Sequence, residues 1–146
     1  MLSWFGMVNF VPYSKVSEFA VHLKDGRLMG SVCGDCGSFS FPPRADCAEC
    51  LSDRFSYREI SGRGTVHTFS TVAAAPTGFD DFVPYTLAVV DLEEGGRLLA
   101  WTGDTIAEVE IGMAVQVVPR IAEEIEQIKV YYTIERPGTT WGKAPA

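Results

Sequence analysis

Apolar, β-branched runs separated by turn residues dominate the chain, and they predict strands. The clearest are residues 65–74 (TVHTFSTVAA), 85–92 (YTLAVVDL), 97–102 (RLLAWT), 113–118 and 129–135 (KVYYTIE). Shorter runs fall at 27–32 and around Phe55, Tyr57 and Ile60. Glu93-Glu94-Gly95-Gly96 has the composition of a hairpin turn, and Gly62-Arg63-Gly64 reads as a turn into a strand. Only one stretch has a helical period. Val16, Phe19, Ala20 and Leu23 share a face, with Ser14 to open the helix and Gly26 to end it, which predicts a short helix over 14–25. His22 would then sit on its polar flank. Five strands in about eighty residues, with Gly-bearing approaches and no long helix between them, suit a small closed barrel of the OB type. Glu123, Glu124 and Glu126 read as a solvated acidic loop, and residues 137–146 as a loose tail that Trp141 anchors.

Between helix and barrel lies Cys33-Gly-Asp-Cys36, then ten residues, then Cys47-Ala-Glu-Cys50. Two C-x2-C pairs at this separation make two knuckles that close one tetrahedral site. Thiolate sulfur suits Zn2+, and four of them leave no position open for water, so the site is structural. Gly37 fits a knuckle turn, and Phe39, Phe41, Pro42 and Pro43 give the metal an apolar strand and a stiff turn to pack on. Two disulfides, rubredoxin-type iron and a redox C-x-x-C pair are the competing readings. Leu51 stands where an electron-transfer knuckle usually has glycine, which counts against iron.

Composition narrows the function. The 146 residues are 47% hydrophobic and carry a formal charge of −7. Such a surface repels phosphate backbones, and no run of Lys and Arg offsets it, which argues against nucleic acid. Residues 1–13 are apolar and aromatic, lack a basic leader region, and are too few to span a membrane. Either Met7 is the natural start or this arm docks on a partner, and both readings imply a cytoplasmic protein without membrane contact. The chain divides into an arm (1–13), a helix plus zinc ribbon (14–53), a barrel (54–137) and a tail (138–146).

The ordered set Cys33-Gly-Asp-Cys36-Gly37, Phe41-Pro42-Pro43-Arg44, Cys47-Ala-Glu-Cys50, Gly62-Arg-Gly-Thr-Val66, Pro84-Tyr85 and Ile111-Gly112-Met113 resembles a known family across residues 14–137. Its members join a rubredoxin-like zinc ribbon to an OB fold and associate with acyl-CoA enzymes. The resemblance implies a non-catalytic accessory subunit in a hetero-oligomer with a thiolase-fold catalytic chain, helping to bind coenzyme A or an acyl-CoA. Thiolase subunits of aromatic degradation, such as that of benzoylsuccinyl-CoA thiolase, match the pattern. The aromatic arm and the acidic stretch near Glu123 depart from it.

The residues themselves agree with a non-catalytic role. Thiolytic chemistry needs a nucleophilic Cys and a base, yet all four Cys are assigned to metal and only His22 and His67 remain. No Ser lies in a G-x-S-x-G setting. For coenzyme A, Arg44 and Arg63 are the best-placed cations, at the expected meeting of ribbon and barrel, and Phe79, Phe82 and Tyr85 could line the pantetheine path. The alternative reading of these side chains is surface ion pairing for the arginines and packing on a partner for the aromatics. Reasoning from fold alone would instead suggest a single-stranded nucleic-acid binder, or a rubredoxin-like electron carrier.

Overall fold

The computed structural model describes residues 3–5, 8–10, 13–124, 127–140 and 142–143. Two short strands, β1 (Ser3–Phe5) and β2 (Val8–Phe10), precede a single helix, α1 (Glu18–Lys24). The ribbon follows with β3 (Met29–Cys33), β4 (Phe39–Ser40) and β5 (Phe55–Glu59). The barrel strands are β6 (Arg63–Val72), β7 (Tyr85–Leu92), β8 (Arg97–Thr102), β9 (Ala114–Glu124) and β10 (Gln127–Glu135), followed by the short strand β11 (Gly142–Lys143). No helix among the described residues is long and apolar enough to cross a membrane.

The helix is shorter than its pattern. Ser14 Oγ accepts the N–H of Val16 (3.4 Å) and Ser14 O accepts that of Ser17 (3.0 Å), so residues 14–17 are held in turns. Its end is as expected. Gly26 has φ +77°, its N–H donates to Leu23 O (3.0 Å), and Arg27 N–H reaches His22 O (2.8 Å). Phe19, Ala20 and Leu23 are buried. His22 is not on a polar flank: its ring meets the Tyr57 ring edge-on at 5.4 Å, and its Nδ1 is enclosed with no hydrogen-bond partner among the described residues.

The five barrel strands close on themselves. β6 pairs antiparallel with β7, β7 with β8, and β9 with both β6 and β10. The circle is completed by parallel pairing of β10 with β8, at Thr133 opposite Trp101 and Ile134 opposite Thr102. This ring order, with its one parallel contact, is the OB barrel. Side chains alternate by the strand period. Val66, Ala88, Val90, Leu98, Ala100, Val115, Val117, Val130 and Ile134 point inward to one core.

Three elements differ from the sequence pattern. Phe55–Glu59 pairs along its length with β3, so it is a strand of the ribbon sheet β4-β3-β5. Short alternation could not tell which sheet would take it. The acidic stretch is not a loop at Glu123 and Glu124, because β9 and β10 form one long hairpin in which Glu123 pairs with Ile128 and Glu124 with Gln127. Glu126 and Trp141 lie outside the described residues, as do residues 1–2, 6–7 and 11–12 of the apolar arm. The tail also contributes structure, since Gly142–Lys143 lies parallel to β9 at Arg120 and Ile121.

Phe41 joins the two halves. It is buried, with its ring 5.9 Å from Phe19 on α1 and 5.7 Å from Tyr132 in the barrel. Phe39 beside it lies against the turn at Gly95 and Gly96.

Candidate metal centre and ligand-contact residues

The four cysteine sulfurs lie within 4.8 Å of one another. Cys33 and Cys50 approach to 3.5 Å, as do Cys36 and Cys47. These spacings are those of one cluster of four ligands and are far longer than a disulfide. The two knuckles are copies of one turn. Gly37 N–H donates to Cys33 O and Leu51 N–H to Cys47 O, both at 3.1 Å. Asp35 N–H points at Cys33 Sγ and Glu49 N–H at Cys47 Sγ, both at 3.4 Å. Each knuckle closes through a left-handed residue: Gly37 at φ +71° and Leu51 at +62°. Leucine pays a steric cost there that glycine does not.

The donor set fits Zn2+. Backbone N–H donation from Cys36, followed by neighbouring thiols, draws the Cys33 thiol down to about 7. Cys36 is pulled down by the N–H of Ser38, but the sulfurs of Cys47 and Cys50 prevail and push it up to about 12. One thiolate thus suppresses the next, and a divalent cation is what allows all four to ionise together. Around the cluster, Asp35 accepts from Ser52 Oγ and from the Arg54 guanidinium, which ties the first knuckle to the chain leaving the second. Ser31 Oγ, buried on β3, accepts the N–H of Arg44 (3.0 Å) and fixes the segment after Phe41.

The five residues expected to contact coenzyme A fall into two separate groups. Arg63 Nε is 2.9 Å from Glu93 Oε2, in the turn region that touches Phe39. Arg44 follows Phe41 by three residues and lines a shallow hollow with Ser31, Ser40 and Arg54. Arg63 therefore lies near the ribbon–barrel junction, whereas the hollow beside Arg44 is lined by ribbon residues, Cys33 and Cys47 among them. Phe79, Phe82 and Tyr85 come together elsewhere, around a residue the sequence reading did not single out. Tyr85 stacks on Trp101 (4.4 Å, 14°), and Phe82 and Phe79 meet the same indole at 5.7 and 6.0 Å. β6 separates the groups: it starts at Arg63 and ends at Val72, which pairs with Tyr85. Nine residues at ~3.3 Å each allow up to about 30 Å between the two ends of β6. Arg63 and the aromatics thus lie at opposite ends of one strand. Trp101 was legible, because it alternates with buried Leu98 and Ala100 and must face outward.

His67 lies on β6 at a bulge between Val66 and Thr68. Its Nδ1 is 2.9 Å from Asp91 Oδ2, and Arg97 Nε is 2.5 Å from Asp91 Oδ1. Hydrogen bonds from Arg97 and then His67 hold the Asp91 carboxyl below its usual range. Inside the barrel wall, Glu135 accepts from Arg120 (2.9 Å), Thr133 (2.8 Å) and both the N–H and hydroxyl of Thr105. Arg120 and Glu135 have side chains 11% and 3% exposed. A Cβ at Gly103 would collide with the Glu135 carboxylate, so glycine makes this bridge possible.

A rubredoxin-like ribbon with four converging thiols, followed by a closed OB barrel, defines the class. The domain described as "ChsH2, rubredoxin-like zinc ribbon domain" matches residues 21–56, and "ChsH2, C-terminal OB-fold domain" matches 57–120. A DUF35 domain-containing scaffold protein of Methanocaldococcus jannaschii is 39% identical over 70% of this chain and 75% of its own length. The chain belongs to this DUF35 family. It is also similar to the benzoylsuccinyl-CoA thiolase subunit BbsA of Thauera aromatica, 33% identical over 52% of this chain and 54% of that one. Among solved structures, the Ltp2-ChsH2(DUF35) aldolase superposes with a TM-score of 0.63 at 26% identity, covering 84% of this chain and 95% of that one.

Proposed function

We propose that this chain is a non-catalytic scaffold subunit, carrying one structural zinc, that assembles with a thiolase-type catalytic chain in the cytoplasm and helps to hold coenzyme A. The observation that carries the reading is the commitment of all four cysteines to one closed cluster. A thiolase reaction needs a free, activated thiolate, so that nucleophile belongs to another chain. The names borne by the relatives, a scaffold protein, a thiolase subunit and a component of an aldolase complex, support the same role. The likeness to BbsA makes an aromatic acyl-CoA a reasonable substrate for the partner.

For coenzyme A, Arg44 and Arg63 are the contact points. Arg44 has its backbone fixed by Ser31, and Arg63 is held in place by Glu93. The purified single chain should show no cleavage of a 3-ketoacyl-CoA by free coenzyme A, and turnover by it alone would overturn the division of roles. Within the complex, Arg44→Ala and Arg63→Ala should each weaken coenzyme A binding by about 1–3 kcal/mol, the usual worth of a charge-assisted contact. Unchanged affinity in both leaves the arginines a structural role. A single-stranded nucleic-acid binder would stack bases on the exposed aromatics of the barrel, but the net charge of −7 and the Asp80 and Asp81 carboxylates beside Phe82 oppose a phosphate backbone.

A further inference from the structure

The negative charge of the chain is confined to one stretch. Residues 64–119 hold eight Asp and Glu side chains against one cation, Arg97, and so account for the whole −7. Residues 1–63 balance seven cations with seven carboxylates, and residues 120–146 balance four with four. Arg97 is itself engaged by Asp91. Three of the eight, Asp91, Glu93 and Glu94, lie at the other end of the β7–β8 hairpin, bonded to His67 and Arg97, to Arg63 and to Ser61; the carboxylates next to the aromatic cluster in the chain are Asp80 and Asp81. Phe79 and Phe82 flank Asp80 and Asp81 on a single 3-10 turn (Asp80–Phe82), and neither carboxylate is ion-paired among the described residues. Asp104 follows three residues after Trp101. Phe82 and Leu99 are 57% and 58% exposed, and Leu99 shares the outward face of β8 with Trp101.

Two carboxylates beside the cluster, neither ion-paired among the described residues, disfavour a phosphate-bearing ligand, and Phe82 and Leu99 place large apolar side chains in water. Both features suit a protein partner with an apolar contact bordered by Lys and Arg. We propose that the aromatic cluster around Trp101, with Phe82, Leu99, Asp80 and Asp81, is the surface on which the thiolase-type catalytic chain docks, meeting it with an apolar patch rimmed by cations. The proposal rests on the subunit reading above and adds the face and its chemistry. It also gives the aromatics a role apart from that of Arg44 and Arg63.

The test is made in the native source with the full chain tagged. The wild type should retain a thiolase-fold chain at a fixed ratio, with affinity falling as NaCl rises. The double change Asp80→Lys, Asp81→Lys should weaken retention by about tenfold or more and flatten its salt dependence. Phe82→Ser should weaken it by about tenfold at all salt concentrations. Val21→Ser, exposed on α1 and away from the cluster, should change nothing. Hydrogen exchange on the wild-type complex gives a measurement independent of any variant, and partner binding should protect residues 78–85. Wild-type affinity in both loop variants, or no protection there, overturns the docking surface while the subunit reading stands. Failure of the wild type to retain a thiolase-fold chain overturns both, as does recovery of a second copy or of single-stranded nucleic acid on this face instead.

Discussion

The ribbon and the barrel are held together by different means. The ribbon sheet has strands of two to five residues, and Cys36 and Cys50 are exposed at its tip. Too little apolar surface is enclosed there to hold two knuckles, so the metal cluster must do it. The barrel needs no such help. Its strands run to eleven residues, and Ala88, Val90 and Ile134 have no exposed surface. Charge divides the chain in a similar way, with the segment through Arg63 balanced and the stretch from β6 into β9 strongly acidic. A small module tied by a metal and a module closed by its own core can thus share one chain, provided a joint such as Phe41 links them.

The sharpest way to break the comparison is to remove the metal. Zinc binding contributes on the order of 10 kcal/mol to folding in such modules. Chelation, or Cys47→Ser, should unfold the ribbon and leave most barrel strands protected in hydrogen exchange. Full-occupancy iron, or no metal at all in elemental analysis, would contradict the zinc assignment. Loss of protection across β6–β10 would show instead that the barrel depends on the ribbon.

A smaller effect should strike the barrel alone. Burial raises the Glu135 pKa, but hydrogen bonds from Thr105, Arg120 and Thr133 outweigh it and leave the carboxyl below its usual range. A carboxyl depressed in the folded state adds stability above its unfolded pKa of about 4.3, and that stability is lost as pH falls through the lower folded value. Urea melts should therefore show this contribution intact from pH 7 to about 5 and declining below about 4.3. Glu135→Gln strands the Arg120 charge, should cost about 3–5 kcal/mol at neutral pH, and should remove that part of the acid dependence. An unchanged melting midpoint would mean that the bridge contributes nothing net.

The smallest expected effect returns to the ribbon. Leu51 is 82% exposed and holds φ +62°. Leu51→Gly should relieve about 1 kcal/mol of backbone strain, less the extra freedom gained by the unfolded chain. Zinc release to a competing chelator should slow slightly while barrel melting stays the same. Faster release would show that the leucine side chain supports its knuckle.

Much of this architecture could be read from local sequence. The cysteine spacing gave the cluster, because two short knuckles constrain four sulfurs whatever surrounds them. Strands β7 and β8 fall where their apolar runs lie, since alternation and the Gly95-Gly96 turn act within a few residues. The helix end at Gly26 is likewise a local matter. The α-helix starts later than its pattern because the turn that Ser14 opens, its hydroxyl accepting the N–H of Val16, bonds residues three apart before the α-helical bonds begin.

What the sequence determined by itself was the metal site, the class of fold and the amount of charge. Tertiary structure decided which residues meet. Phe55–Glu59 joined the ribbon sheet because β3 offered it a partner along its whole length. Arg120 meets Glu135 across the β9–β10 pair, whereas Thr105 reaches it only through the closure of β8 on β10 and the gap left by Gly103. Antiparallel pairing of β7 with β6 set Arg63 and Tyr85 at opposite ends of one strand pair, and its pairing with β8 brought Trp101 against Tyr85. Strand pairing fixes such distances through backbone hydrogen bonds, and a linear pattern of side chains does not record which strand will lie beside which.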